Sequence, residues 1–306
     1  MGPYLLRRLI HSLFVLWGAI TVVFIVVRLI PGDPAQMMLG AQASAEDVAA
    51  LRHRMGLDRP LPVQYGSFLL EVSRLDLGTS LTFDEPAVSA VLRRLPVTAL
   101  LAVTGMTIAL ALSLPLGTIA ALRPRSLLDR VVSGLSLVGQ AVPNFWLGIM
   151  FILVFARVLR WLPSAGTGGW QHLVLPSITL ALPLVGVLTR LMRSGLLEVI
   201  ETDYIRTAYA KGLTQRSVVT RHAFRNALIP VITVAGLQFG SLLAGAVIVE
   251  TVFAWPGAGR LLVDSISRRD YPVVQASILF ITGGFILVNL LVDLSYGFLD
   301  PRIRFG

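Results

Sequence analysis

Side chains able to do chemistry are sparse in this sequence, and they fall into two settings. The first is apolar. Gln140, Asn144, Gln238 and Ser241 interrupt stretches built mainly of Leu, Val, Ile, Ala and Gly, as do the carboxylates Glu250 and Asp293. An ionisable group inside a bilayer is expensive unless paired, so such residues either bond a neighbouring helix or line a polar path. Asp293 lies four positions after Asn289, on the same helix face, where it could receive an amino terminus or bond another helix. The second setting is the run from Asp203 to Pro230, the most water-compatible piece of the chain. Asp203 suits a helix N-cap, because its side-chain oxygen can accept from an orphan backbone N–H. Ala208, Tyr209 and Ala210 favour or tolerate helix, Gly212 is a natural stop, and Arg216, Val219 and Arg221 open a second helical piece. A short helix, a glycine turn and a basic helix, held between two membrane-length runs, make a rigid lever with a polar head.

Most catalytic chemistries are excluded by what these residues lack. A phosphate-binding loop needs Gly-Lys followed by Ser or Thr, but the one lysine, Lys211, is followed by Gly212. Zinc proteolysis needs His-Glu-x-x-His, and none of His11, His53, His172 or His222 precedes a glutamate. All four histidines sit at run ends or in loops, which leaves no deep serine–histidine pair. With no cysteine there is no disulfide framework or thiolate metal site, and no histidine cluster offers a metal set.

The elements that must position these residues are membrane helices. Of 306 residues, 55% are hydrophobic and 14% charged, against about a quarter charged in soluble domains. Six apolar runs have spanning length: Leu9–Ile30, Ala99–Leu122, Val131–Ala156, Leu173–Thr189, Ala227–Phe253 and Val273–Leu299. About 20 residues cross a hydrocarbon core about 30 Å thick. The first run resembles a signal peptide, but it is 22 positions long with no small-x-small cleavage site, so it reads as a retained span. The fourth is interrupted by Pro176 and Pro183 and is expected to end early at Arg190. The prolines at 115, 143, 176, 183 and 230 are tolerable where neighbouring helices satisfy freed carbonyls. Gly134, Gly139, Gly236, Gly240 and Gly245 are expected at close helix approaches. The fold class is therefore an all-α integral membrane protein with six transmembrane helices, one domain over 1–306.

The net charge of +9 is explained by orientation rather than by nucleic acid. With an inside N-terminus, segments 1–8, 123–130, 190–225 and 300–306 hold 14 Arg or Lys against five acids, whereas the outside segments hold 12 against ten. The positive-inside rule puts both termini and the 203–225 loop in the cytoplasm. External residues 31–95 are expected to form a small, mainly helical region. Ser44 and Asp47 cap one helix that stops near Gly56, a second covers Val63 to Ser73, and Pro-Gly-Asp-Pro (31–34) and Asp-Leu-Gly (76–78) mark turns. The region is a lid, a docking surface or a structural collar. Between the last two runs, a helix over Gly259–Ser267 follows the Pro256-Gly257 break, with Phe253 and Trp255 suited to an interfacial aromatic belt.

Arg-Thr-Ala-x-Ala-Lys-Gly-Leu (206–213) followed by His-Ala-x-Arg-Asn-Ala-Leu-Ile-Pro (222–230) resembles the cytoplasmic "EAA" loop of ABC-importer permeases. More narrowly, it resembles the B-type permease subunit of the dipeptide, oligopeptide and nickel branch, which also includes glutathione importers. Pro-Gly-Asp-Pro (31–34), Asp-Leu-Gly (76–78), Trp-Pro-Gly (255–257) and the final Asn289-to-Arg304 stretch extend that similarity along nearly the whole length. Arg206 and Thr207 stand where Glu and Ala give the motif its name, and the Gly212-to-Pro230 spacing exceeds that of sugar permeases.

The resemblance implies an ATPase-docking loop made by Asp203, Tyr204, Arg206, Thr207, Ala208, Ala210, Lys211, Gly212 and Leu213. The Pro256-Gly257 break beside a short helix suggests an outer gate or binding-protein contact at Trp255, Pro256, Gly257, Gly259 and Arg260. Gln140, Asn144, Gln238, Ser241 and Asp293 are the pathway candidates. Implied partners are a homologous second permease, two ATPase subunits and an extracytoplasmic binding protein, in a bacterial inner membrane. No cofactor would bind this chain; ATP and Mg would sit on the partners. The expected cargo is a peptide or peptide-like solute, such as a dipeptide, an oligopeptide or glutathione. The short Gly166–Gln171 loop is similar to the nickel and glutathione members. The alternatives are a nickel-chelate permease and, in a different class, a self-contained channel or receptor.

Overall fold

Helix formation dominates because nearly every apolar run is long, and a backbone in lipid must satisfy its own hydrogen bonds. A computed structural model describes residues 2–29, 34–40, 43–54, 56–80 and 82–299. The helices are α1 (Gly2–Leu29), α2 (Pro34–Leu39), α3 (Ala45–Arg54) and α4 (Leu61–Ser73), then a two-residue hairpin of β1 (Thr79–Ser80) and β2 (Glu85–Pro86). There follow α5 (Ala87–Leu92), α6 (Leu95–Leu122), α7 (Leu127–Ala141), α8 (Asn144–Phe151, continuing as a π-helix over Ile152–Val158) and α9 (Gln171–Ile200). The chain continues with α10 (Asp203–Ala210), α11 (Gln215–Ser217, leading into a π-helix over Val218–Ala223), α12 (Phe224–Val252), α13 (Ala258–Ser267) and α14 (Tyr271–Leu299). Among the described residues, five segments are long and apolar enough to cross a membrane, or six if the bent α7–α8 pair is one span. The Pro-Gly-Asp turn at 31–33 and the terminal 300–306 stretch lie outside the described residues.

Two spans differ from the expectation. The third run is not one helix: α7 and α8 are bent by 104° at a short break. Pro143 lacks an N–H, and its ring drives Val142 out of the helical region to φ −82°, ψ 126°. The fourth run does not end at Arg190, because α9 continues to Ile200. Leu188, Met192 and Leu196 stay buried on one face, so packing sustains the helix beyond the apolar stretch.

The chain divides into two compact units. One comprises residues 1–98 and 256–287. Its core joins Ile20, Val23 and Phe24 of α1 to Phe68 of α4, Val91 of α5, Leu261 of α13 and Val273 of α14. Residues of α4 and α5 therefore share a core with the candidate spanning helices α1 and α14. Polar links reinforce it: the Thr21 and Tyr65 hydroxyls lie 2.7 Å apart, Arg28 Nε donates to Gln64 Oε1 at 2.9 Å, and the Ser80 hydroxyl donates to Asp270. The Ser44 cap is formed, with Asp47 N donating to Ser44 Oγ at 3.1 Å. Gly56 and Gly78 make the expected turns at φ 63° and 85°. His53 Nδ1 lies 2.8 Å from Asp58 Oδ2, and this bond holds the Asp58 carboxyl below its usual range.

The other unit, residues 99–255 and 288–306, is organised on α9, which packs along α7 and α12. Glycine sets two of its crossings. A Cβ at Gly186 would collide with the Ser136 carbonyl of α7, and one at Gly117 would lie 2.7 Å from the Thr189 carbonyl oxygen. Gly139 and Gly236 are also at tight contacts, with a Cβ meeting Leu182 O at 3.3 Å and Val292 Cγ1 at 2.7 Å. Gly134 departs from the expectation, since nothing lies within 4 Å of a Cβ placed there.

An ion pair unforeseen from the sequence ties α9 to α7. Arg193 donates through Nε to Asp129 Oδ1 at 2.5 Å and through Nη2 to Oδ2 at 2.8 Å. Asp129 also accepts from the Arg125 N–H at 2.9 Å, while its own N–H donates to the cap hydroxyl of Ser126. Removing one partner strands a largely buried charge. Arg193→Met should therefore destabilise the protein by up to about 3 kcal/mol, less than a fully buried pair because the guanidinium is partly solvated. The Asp129→Leu/Arg193→Met double variant should recover part of that loss. Thermal midpoints in detergent would check this, and additive losses would contradict it.

Candidate functional site

The sequence places its neutral polar residues in two separate runs, and the fold gathers them. Gln140 lies in the last turn of α7, Asn144 begins α8 across the proline break, and Gln238 and Ser241 lie three positions apart on α12. All four line one cavity of about 330 Å³, with Leu180, Pro183, Leu184, Val187, Leu242 and Gly245 as its other walls. None of these lining residues is ionisable. The Gln140 amide donates to the Ser136 carbonyl at 3.3 Å, which orients it. Asn144 Oδ1 is buried and has no hydrogen-bond partner.

The chain's own breaks create this space. The 104° bend carries α8 away from the α7 axis and brings the first turn of a helix to the cavity wall. N–H groups in such a turn lack intrahelical acceptors. Pro183 on the facing wall removes another helical donor, and Gly245 leaves the wall without a side chain. Asp293, 8% exposed on α14, is not among the lining residues. Sequence reading missed the apolar walls, because Leu and Val in a membrane helix carry no positional signal. The proline at 143 was the available clue to the break.

The 203–225 loop is built as a braced lever. Asp203 is not the cap: Thr202 holds that position with extended backbone, φ −74°, ψ 153°, and Asp203 is the first helical residue. Ile205 and Ala208 face inward, so Ala208 packs inside this chain and does not belong to an exposed docking face. Asp203, Tyr204, Arg206, Thr207, Ala210, Lys211, Gly212 and Leu213 are exposed. Asn226 Nδ2 donates to the Tyr204 hydroxyl at 2.6 Å, pinning α10 to the start of α12. Gly212 turns the chain at φ 80°, in the left-handed region that a side chain would strain. Beyond the brace, Tyr209 and Leu213 project at 41% and 38% exposure.

Around the Trp-Pro-Gly turn the structure corrects the sequence reading. Phe253 and Trp255 are 1% and 6% exposed, so they are core residues and not an interfacial belt. Phe253 O accepts from the Gly166 N–H at 3.0 Å, and Trp255 N donates to Glu250 O at 2.8 Å. Gly257 and Gly259 are buried as well, and only Pro256 and Arg260 of the five gate candidates are partly exposed. Arg260 Nε lies 3.6 Å from Asp264 Oδ2, and the Thr98 hydroxyl accepts from the Ala258 N–H at the start of α13.

Known proteins resemble this chain in sequence and in fold. The family described as "binding-protein-dependent transport system inner membrane component" matches residues 113–305, and its N-terminal counterpart matches residues 1–102. The chain is 42% identical to the glutathione transport system permease protein GsiC of Salmonella typhi, over 100% of both chains. It is 41% identical to the dipeptide transport system permease protein DppB of Alkalihalophilus pseudofirmus, again over 100% of both. Among solved structures, a chain of the MetNI methionine ABC transporter in an inward-facing conformation aligns with TM-score 0.55 at 18% identity. That alignment covers 68% of this chain and 95% of the other. It speaks for the fold alone.

Proposed function

Because the chain belongs to the family of binding-protein-dependent transport system inner membrane components, we propose that it is the permease subunit of an ATP-driven importer for peptides or peptide-like solutes. Full-length likeness to permeases named for glutathione and dipeptide transport carries this reading. The cavity agrees in chemistry: uncharged polar groups against apolar walls suit a solute rich in amides. No observation favours a nickel chelate or a self-contained channel.

In this reading a homologous permease completes the path, two ATPase subunits bind ATP and Mg, and an extracytoplasmic protein delivers the solute. Both termini and α10 face the cytoplasm of a bacterial cell. The exposed tip of α10 docks on an ATPase subunit, while buried Ile205 and Ala208 and the Tyr204–Asn226 bond transmit its displacement into α12. ATP-driven closure then exchanges inward-open for outward-open states that differ by a few kcal/mol, the nucleotide and the loaded binding protein choosing between them. Pro256 and Arg260 belong to an outer gate that moves with this exchange.

The test is reconstitution with the cognate subunits in proteoliposomes, followed by uptake of labelled glutathione and dipeptide. Uptake should require ATP and the binding protein together. Solute flux through this polypeptide alone would refute the reading.

A further inference from the structure

The cavity lined by Gln140, Asn144, Gln238 and Ser241 has a chemistry that narrows what it can hold. Its polar groups are three carboxamides and a hydroxyl, and none of its lining residues can balance a full charge. A charged group placed there would lose hydration without gaining a counter-ion. A carboxamide, by contrast, offers one acceptor and two donors, the complement of a peptide bond with its N–H and C=O. Asn144 Oδ1 is the informative atom, because it is buried and without a hydrogen-bond partner. Buried polar atoms are rarely left so unless a ligand or water completes them. Gln238 stands on another helix of the same cavity, and Leu180, Leu184, Val187 and Leu242 give apolar contact around it. The volume, about 330 Å³, lies at the low end of the range of about 300–1,000 Å³ typical of ligand pockets.

We propose that this cavity is a peptide-bond subsite, in which the Asn144 carboxamide turns to offer its unpartnered oxygen to the solute's backbone N–H and Gln238 donates to the solute's carbonyl. The subsite rests on the importer reading above and adds its selectivity: the permease reads the backbone amide, and the solute's charged groups lie outside this cavity. Gly245 lines it without a side chain, and a Cβ there would make ordinary contacts, 3.5 Å from Leu180 Cδ1 and 3.7 Å from Asn144 Nδ2.

The experiment uses the complete reconstituted importer at saturating binding protein. It compares uptake of glutathione or alanyl-alanine, whichever is transported, with the analogue in which an ester oxygen replaces the peptide N–H. Loss of that donor should slow uptake by about tenfold in the unmodified importer. In Asn144→Ala the peptide-to-ester ratio should fall towards one, and Asn144→Leu, which refills the volume without an acceptor, should behave alike. The ratio is internal to each variant, so poor assembly lowers both rates without moving it. A ratio near one in the unmodified importer, or one that persists in both variants, overturns the subsite and leaves the importer reading standing. Absence of any ATP-driven peptide uptake by the unmodified importer overturns both.

Discussion

Gly186→Val should leave little folded protein, and it is the largest single-residue effect expected outside the α10 tip. A Cβ at this position would run into the backbone carbonyl of Ser136, an obstacle that cannot swing aside as a side chain does. Relief requires α7 and α9 to separate, which opens the crossing where Gln140 lies close to Gly186 and beside the cavity. Overpacking typically costs about 1–3 kcal/mol, and a backbone obstacle places this substitution at the upper end or beyond. Gly186→Ala should show the same defect in milder form. Gly134→Ala, where an added Cβ meets nothing within 4 Å, should be neutral or stabilising by up to about 1 kcal/mol, because alanine is the better helix former. The readouts are the monodisperse yield and thermal midpoint in detergent. A Gly186→Val protein as stable as the parent would mean that the α7–α9 contact is not as close as described.

Tyr209→Glu combined with Leu213→Glu should abolish co-purification of the ATPase subunits while the permease still inserts and folds. Both side chains are more than a third exposed at the end of α10, so their replacement leaves the internal packing of the loop alone. Anchor residues at protein interfaces cost about 2–4 kcal/mol each when removed, and every 1.4 kcal/mol is about tenfold in affinity. Two new carboxylates in a desolvated contact add repulsion, so recovery of the ATPase should fall by well over tenfold, and uptake with it. Ala208→Arg is a poor substitute for this test. Ala208 is buried inside the chain, and a charge there would disrupt the lever before it tested docking. ATPase recovery equal to that of the parent would move the docking surface elsewhere.

What the sequence determined by itself was everything that depends on length, hydropathy and local stereochemistry. Most of the apolar runs became helices close to their expected positions, because a lipid environment leaves a backbone few choices. Gly212, Gly56, Gly78 and the Ser44 cap behaved as local rules require, since a left-handed turn or an N-cap is decided within a few residues. The family signature was readable for the same reason, being carried by contiguous motifs.

Only the tertiary structure could place side chains from different helices against one another. It bent the third run at Pro143 while Pro115, Pro176, Pro183 and Pro230 stayed inside helices, and it carried α9 past Arg190 to meet Asp129. It buried Phe253 and Trp255, which hydropathy alone would leave at an interface, and it turned Ala208 inward. It drew Gln140, Asn144, Gln238 and Ser241 into one cavity and left Asp293 out. Apolar composition says that a helix will be buried in lipid or protein, but not which of its faces meets which neighbour. That choice is made by close packing, at the glycines and broken turns where two backbones can touch.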